Sequence, residues 1–336
     1  MLTLVVPGLI WPRQALSDLA GDLSLPAFAL LLGRGRLRHG PGVATVTRLA
    51  DALGVASPLP AAALRHLAFG HPADDDDWLC LDPVRLRFEE RSLVLDDPRG
   101  LALETAEAEA LAVALAPTFA ALGDIRVLDA HAWNLRLSAP SLAFPDLSQA
   151  LGLASAPLPA SADHAPWRRC LNEAQMVLHV HPVNRAREAA GMPRVNSLWP
   201  WGGGRLPART ACRQDSVWSS DAVIRGLALA QGIDSEFLPS SFLKPPGSST
   251  LALFDDLAAP AKLGDALAWR DALASLEAAW LAPALAAIRS GELDALCLLA
   301  PGERNSVEFV IRRSDLWKFW RKPRALMDAF AATESR

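Results

Sequence analysis

The chain has 336 residues, is 51% hydrophobic and 21% charged, and carries a formal net charge of −4. That composition is globular and excludes a disordered chain. At roughly 100–200 residues per domain it allows two domains, or a large one carrying an insertion. The charge balance leaves no global basic field and no acidic tail, so nucleic acid is not an expected partner.

Taken in chain order, residues 2–6 form an apolar, β-rich run that stops at Pro7-Gly8. The run has no basic flank, so it predicts a first strand and not a signal peptide. A short apolar helix is predicted over 25–32, closed by Gly33-Arg34-Gly35, and a second over 44–53, stopped by Gly54. Residues 56–63 are rich in Ala, Pro and Ser and are expected to be loop, as is the four-carboxylate run Asp74–Asp77. Strands are predicted over 78–81, 84–88 and 92–95, then a helix over 103–115 with Glu104, Glu107 and Glu109 near its positive end. A hairpin follows over 125–128 and 132–137. Residues 138–166, rich in Ala, Ser, Pro and Leu, mark a domain boundary.

The second half predicts helix over 167–190, broken at His181-Pro182, and helix over 221–231 capped by Gly232. A strand is predicted over 250–254. A long amphipathic helix over 266–288 follows, with Trp269, Leu273, Leu276 and Trp280 on one stripe and a kink at Pro283. Strands over 296–299 and 307–311 come last. Strands alternating with helices imply an α/β fold with a largely parallel sheet. No run of about 18 apolar residues is found, so neither a membrane span nor a membrane partner is expected.

Cys80, Cys170, Cys212 and Cys297 are widely spaced, with no zinc-ligand pattern. They are expected to be buried free thiols in a reducing cytoplasm. Lysine is confined to Lys244, Lys262, Lys318 and Lys322, and tyrosine is absent. With so much Ala, Leu, Arg and Pro, this has the character of GC-rich coding, so arginine in place of lysine says little about function.

Chemistry concentrates in 179–207, where Asn184, Arg185, Arg187, Asn196 and Arg205 accompany Gly202-Gly203-Gly204. Arginine holds phosphate or carboxylate through paired donors, and a glycine run lets backbone amides approach an anion. The alternative is a turn-rich connection whose polar side chains satisfy buried backbone. His179 and His181 are expected to mark a helix break more than a metal site, and Trp199 and Trp201 to fill core more than stack on a ligand. Asp255-Asp256, closing a predicted strand, can ligate a cation or cap a helix. The 317–324 run, Trp-Lys-Phe-Trp-Arg-Lys-Pro-Arg, is expected to dock through its aromatics with its basic side outward. Contact with nucleic acid or with a partner protein is the functional alternative there.

The series His-Pro-Val-Asn-x-x-Arg-x-x-x-Gly at 181–191, then Pro193, Asn196, Trp199, Trp201-Gly-x-Gly and Pro207, resembles the archaeal type of cofactor-independent phosphoglycerate mutases, of the alkaline phosphatase superfamily. The resemblance continues through Ser220-Asp-Ala-Val-Ile-Arg-Gly and, upstream, over 78–115. It also looks like a bacterial offshoot of that family, the RpfE-type regulatory proteins. The resemblance implies an alkaline-phosphatase-like α/β domain over 1–75 and 160–336 and a smaller inserted α+β domain over 76–159.

The family uses two divalent metals, such as manganese or zinc, and a phosphoryl-accepting serine. At the positions where the resemblance would put a metal-binding Asp, the serine, an Asp and a His, and an Asp-His pair, this chain has Pro7, Val43, Ala258 and Lys262, and Pro301-Gly302-Glu303. The resemblance therefore implies no catalytic residues, no metal ligands and no mutase activity here. It implies a regulatory, pseudoenzyme-like protein that binds a small anionic metabolite through His181, Asn184, Arg187, Asn196, Gly203 and Arg205. Two alternatives stand beside it: a divergent metal-dependent phosphotransferase or phosphatase using Asp255, Asp256 and His181, and a protein–protein module using the C-terminal segment.

Overall fold

The computed structural model describes residues 1–11, 19–72, 75–89, 92–152, 161–302 and 304–326. Asp74 and Glu303 lie outside the described residues. In chain order the strands are β1 (Leu2–Val5), β2 (Arg36–Pro41), β3 (Trp78–Val84), β4 (Leu86–Glu89), β5 (Ser92–Leu95), β6 (Gly123–Asp129), β7 (Ala132–Leu137), β8 (Ser197–Gly204), β9 (Ser216–Ser219), β10 (Asp234–Glu236), β11 (Thr250–Leu253), β12 (Ala295–Ala300) and β13 (Asn305–Arg312). The chain divides into two compact units, one of residues 1–57 with 209–336, the other of residues 58–208.

The first unit is built on a seven-stranded sheet in the order β10-β9-β11-β1-β12-β13-β2. The first five of these run parallel; β13 and β2 are antiparallel additions at one edge. β9, β11 and β12 are buried throughout, as strands of a covered parallel sheet should be, although β9 carries Ser216 and Ser219. β2, Arg-Leu-Arg-His-Gly-Pro, pairs on one side only and exposes Arg36 and Arg38, which suits an edge. Its polar, Gly-Pro-ended sequence lacks the apolar run by which the other strands are recognised.

The predicted long helix runs from Ala266 to Ser290, with a π-helical turn over Leu276–Leu281 just before Pro283. Pro283 has no N–H to give to the carbonyl of Ala279, four residues back. That carbonyl instead accepts the N–H of Phe242 at 2.8 Å. By length and composition this helix is apolar enough to cross a membrane. The search for an uninterrupted run missed it because Arg270, Asp271, Glu277 and Arg289 interrupt it. Trp269, Leu273, Leu276 and Trp280 are buried in the core of the first unit with Leu2, Leu4 and Leu296.

Glu277, in the π turn, is itself buried. Its carboxylate accepts the N–H groups of Ala27 at 2.6 Å and Phe28 at 2.9 Å. The Pro26–Arg34 helix has no side-chain cap of its own, so a carboxylate from another helix supplies it. Burial pushes the Glu277 pKa up, against the lowering effect of those two N–H groups.

The second unit carries a four-stranded antiparallel sheet, β6-β7-β3-β8, and a β4-β5 hairpin. The Thr105–Phe119 and Ala165–Val180 helices bury Leu111, Leu115, Phe119, Trp167, Leu171 and Leu178 in a core shared with Leu79, Leu81, Trp133 and Leu135. This unit extends beyond the 76–159 insertion expected from the resemblance. The reason is β8, which pairs with β3 from Trp78↔Gly204 to Val84↔Ser197 and so belongs to the same sheet. With Pro200 and three glycines, β8 does not have the sequence of a strand, but it is the sheet's edge, where proline is tolerated. The Ala61–Ala68 helix replaces the end of the loop expected over 56–63; it begins directly after Pro60.

Two outcomes follow. Glu277→Ala leaves two buried N–H groups unmet and is expected to lower stability by about 2–4 kcal/mol in urea denaturation. Cys80 and Cys297 are buried, and burial pushes the Cys297 thiol up to about 12. A thiol reagent at pH 8 should leave these two cysteines unlabelled in the native chain and label all four after unfolding.

Candidate functional site

Parallel pairing of β1 with β11 and β12 brings the carboxyl ends of three strands side by side. This is the corner where the resemblance would place a two-metal centre. β1 leads into Val6, Pro7 and Gly8; β12 into Pro301 and Gly302; β11 into Phe254 and Asp255. The N–H of Val43 donates to the carbonyl of Gly302 at 3.0 Å. A Cβ on Gly8, whose φ is +80°, would lie 2.4 Å from the carbonyl oxygen of Leu257. One on Gly302 would lie 3.2 Å from Cδ1 of Ile10. The Trp269 indole donates to the Gly8 carbonyl at 2.9 Å.

Backbone of Gly8 and Gly302 is thus packed against Leu257 and Ile10 at this corner. Asp255 is half-buried at the end of β11 and Asp256 is exposed. Asp221, beyond β9, is occupied as the cap of the Ala222–Gln231 helix, accepting from Val223 at 2.7 Å and Ile224 at 3.2 Å. Among the described residues no group of three or more His, Cys, Asp or Glu side chains is placed to hold a metal ion. Among the described residues there, Pro7, Ile10, Val43, Leu257 and Pro301 offer no side-chain ligand, and Asp255 and Asp256 alone do not make the ligand set that a pair of divalent cations needs.

The polar segment lies in the second unit, and most of its donors are committed to the protein. Asn184 is buried; its amide donates to the carbonyls of Leu178 at 2.8 Å and Val195 at 2.7 Å and accepts the N–H of Val195 at 3.0 Å. Arg187 is 3% exposed. It donates to Pro193 O at 2.8 Å, to Glu107 at 2.6 Å and to Leu101 O. Asn196 forms a closed pair with the backbone of Leu86, accepting and donating at 2.8 Å. His181 is the break expected between the Ala165–Val180 and Pro182–Ala189 helices, and its Nδ1 accepts the N–H of Val183 at 3.2 Å.

These residues do not converge on one pocket. Asn196 precedes β8 and Arg205 follows it, which sets them at opposite ends of the strand. Arg205 is 61% exposed and pairs with Asp77 at 2.9 Å. Asp76, in the same acidic run, pairs with Arg136 at 2.6 Å. The glycines are a packing device: a Cβ on Gly203 would sit 1.9 Å from Oγ of Ser141, and one on Gly202, with φ +60°, 2.5 Å from Cβ of Ala61. Trp199 fills core and donates to Pro145 O at 3.0 Å.

Two features escape the sequence. One is a buried network around Asp82, which is 2% exposed. Asp82 takes Arg65 at 2.9 Å, the Trp201 indole at 2.7 Å and the N–H of Trp133 at 3.1 Å. Arg65 also donates to Trp133 O at 2.6 Å and to Asn134 at 2.9 Å. The visible hint was an Asp-Pro pair inside an apolar strand. The other is a cleft of about 470 Å³ lined by Arg85, Arg87, Phe88, Met192, Arg194 and Asn196. Arg87 lies 3.0 Å and Arg85 3.6 Å from Asp96, and Arg194 lies 3.2 Å from Glu188. Three guanidinium groups and the carboxylate of Glu188 thus line the cleft.

No protein family's sequence profile matches the chain. The 2,3-bisphosphoglycerate-independent phosphoglycerate mutase of Methanosarcina mazei is 30% identical over 82 residues, 23% of this chain and 21% of that protein. A probable enzyme of the same name from Geobacter sulfurreducens is 32% identical over 69 residues, 19% of this chain and 17% of that protein. The matches therefore span about a fifth of the length of these curated relatives. Among solved structures, the PH0037 protein of Pyrococcus horikoshii superposes over 98% of this chain and 91% of its own at a TM-score of 0.51 and 12% identity, which shows a shared fold. A cofactor-independent phosphoglycerate mutase from Thermoplasma acidophilum covers 98% of this chain and 94% of its own at a TM-score of 0.46 and 18% identity. The local sequence matches are weak homology to 2,3-bisphosphoglycerate-independent phosphoglycerate mutases, and the mixed α/β fold of a mostly parallel sheet with a separate antiparallel unit is shared with the Pyrococcus horikoshii protein.

Proposed function

We propose that this mutase-like chain is a non-catalytic regulatory protein of the cytoplasm that binds a small phosphorylated or carboxylated metabolite. The observation that carries the reading is the corner at the carboxyl ends of β1, β11 and β12. Transfer of a phosphoryl group through a serine needs cations to offset charge on the transferring oxygens, an effect worth several kcal/mol. Val43 meets Gly302 there through backbone, Gly302 lies against Ile10, and Pro7, Val43 and Gly302 supply neither ligand nor nucleophile.

The anion is assigned to the cleft of Arg85, Arg87 and Arg194. Guanidinium forks pair with carboxylate or phosphate oxygens, and Asn196 fixes the strand that carries two of them. Asn184 and Arg187 hold the wall of the cleft and are not spare donors for a ligand. In the phosphotransferase alternative through Asp255, Asp256 and His181, the His181 Nδ1 is already engaged in a helix cap.

Elemental analysis of the purified chain should find no stoichiometric manganese or zinc, and no interconversion of phosphoglycerates should follow addition of manganese. Calorimetric titration with 3-phosphoglycerate should show binding, weakened about tenfold in Arg85→Gln combined with Arg194→Gln, the loss of about 1.4 kcal/mol. Arg187→Ala should lower stability by about 3 kcal/mol in urea, because it leaves two carbonyls unmet and takes the ion-pair partner from Glu107. Bound metal with mutase turnover would overturn the reading.

A further inference from the structure

The 317–324 segment is a strap fastened at both ends to the first unit. At its start, the buried Asp315 accepts the N–H of Arg312 at 3.0 Å and the ammonium of Lys318, and Leu316 O accepts from Arg34 at 2.6 Å. At its end, the N–H of Arg324 donates to Ala29 O at 3.0 Å, and Leu326 is buried in the core. Between these points the backbone lies against the Pro26–Arg34 helix, where a Cβ on Gly33 would fall 2.2 Å from Lys322 O. The strap is held by backbone, Asp315 and Leu326. Its aromatics are not the dock that the sequence led us to expect: Trp317, Phe319 and Trp320 are 74%, 78% and 68% exposed.

We propose that this strap is the point at which the protein attaches to an anionic lipid surface. Three aromatics within four residues of a tight loop radiate outward, and Phe319 and Trp320 stand edge to face at 80° with centroids 5.3 Å apart. A protein partner would need a deep cavity to enclose such a spike. A lipid interface closes round it from all sides, and Trp and Phe favour the headgroup level. The cations fit the same partner. Arg321, Lys322 and Arg324 are exposed beside the aromatics, and 317–324 contains no acidic residue. Phosphate-bearing headgroups complement that charge. Bases of a single-stranded nucleic acid would need parallel stacking faces, which edge-to-face rings do not offer. The earlier expectation of no membrane partner rested on the search for a spanning run, which does not address attachment by an exposed loop.

The test is co-sedimentation of the full chain with vesicles of phosphatidylcholine alone and of phosphatidylcholine mixed with phosphatidylglycerol. Binding is expected to the mixed vesicles only, and to weaken with salt. Phe319→Ser combined with Trp320→Ser should reduce it by at least about tenfold. Arg321→Gln, Lys322→Gln and Arg324→Gln should each reduce it about fivefold. Thermal melts should stay unchanged in all of these, because the replaced groups are solvent-exposed. Failure of the native chain to bind mixed vesicles would overturn the proposal, as would variants that bind as well as the native chain. Self-association or binding of single-stranded DNA that the aromatic variant abolishes, without vesicle binding, would also overturn it and assign the strap to that partner.

Discussion

A carboxylate removed from water must be met on every side, and Asp82 sets that demand at the centre of the second unit. Its oxygens take a guanidinium, an indole N–H and a backbone N–H, drawn from the Ala61–Ala68 helix, β8 and β7. One side chain therefore ties together three elements that apolar packing alone would let slide. A buried pair of this kind need not add net stability over an apolar replacement, but losing one partner strands a charge in a low-dielectric interior. Its contribution is therefore to register: β8 has Pro200 and three glycines, and little else in its sequence specifies where it lies on β3. The Trp201 indole fixes that position.

The same logic explains why the polar residues of 181–196 are largely architectural. Asn184, Arg187 and Asn196 each answer backbone groups that regular structure leaves unpaired, at Leu178, Val195, Pro193, Leu101 and Leu86. Buried backbone polar groups must find partners, and an irregular loop finds them in side chains. Forked donors serve that purpose as well as they serve an anion. Composition cannot separate the two uses; only burial and the direction of the donors can.

What was legible followed from how each element is stabilised. β1, β11 and β12 are mainly apolar strands of a covered parallel sheet and were readable from residue type alone, whereas β9, Ser-Val-Trp-Ser, and β10, Asp-Ser-Glu, were not. The Gly232 cap and the Pro182 break were readable because they are local backbone constraints. The misses are elements whose stability comes from elsewhere: β2 and β8 are edges held by one neighbour, and the Ala61–Ala68 helix is an alanine-rich turn after Pro60 kept in place by Arg65. The Pro283 kink appears as a π turn whose orphaned carbonyl is met by Phe242, a partner 37 residues distant that no local pattern announces. Arg85, Arg87 and Arg194 were passed over because nothing in their spacing brings them together. The β4 strand and the 190–196 loop do that in space.

In both units, change at a site can reach the fold. In the first, the strand-end residues Val6, Leu9, Leu257 and Ala300 belong to the same core as Leu2, Leu4, Leu296 and Leu298, so the corner is part of the packing. In the second, the cleft and the scaffold share parts. Arg187 fixes Pro193, Asn184 fixes Val195 and Asn196 fixes Leu86, so both walls that present Arg85, Arg87 and Arg194 are held before any ligand arrives. A wall held in that way loses little further freedom on binding, which favours affinity without any added contact. Replacing a residue that holds the wall would therefore weaken a ligand and the fold together, whereas replacing a lining arginine would weaken only the ligand. That asymmetry separates a residue that builds the cleft from one that uses it.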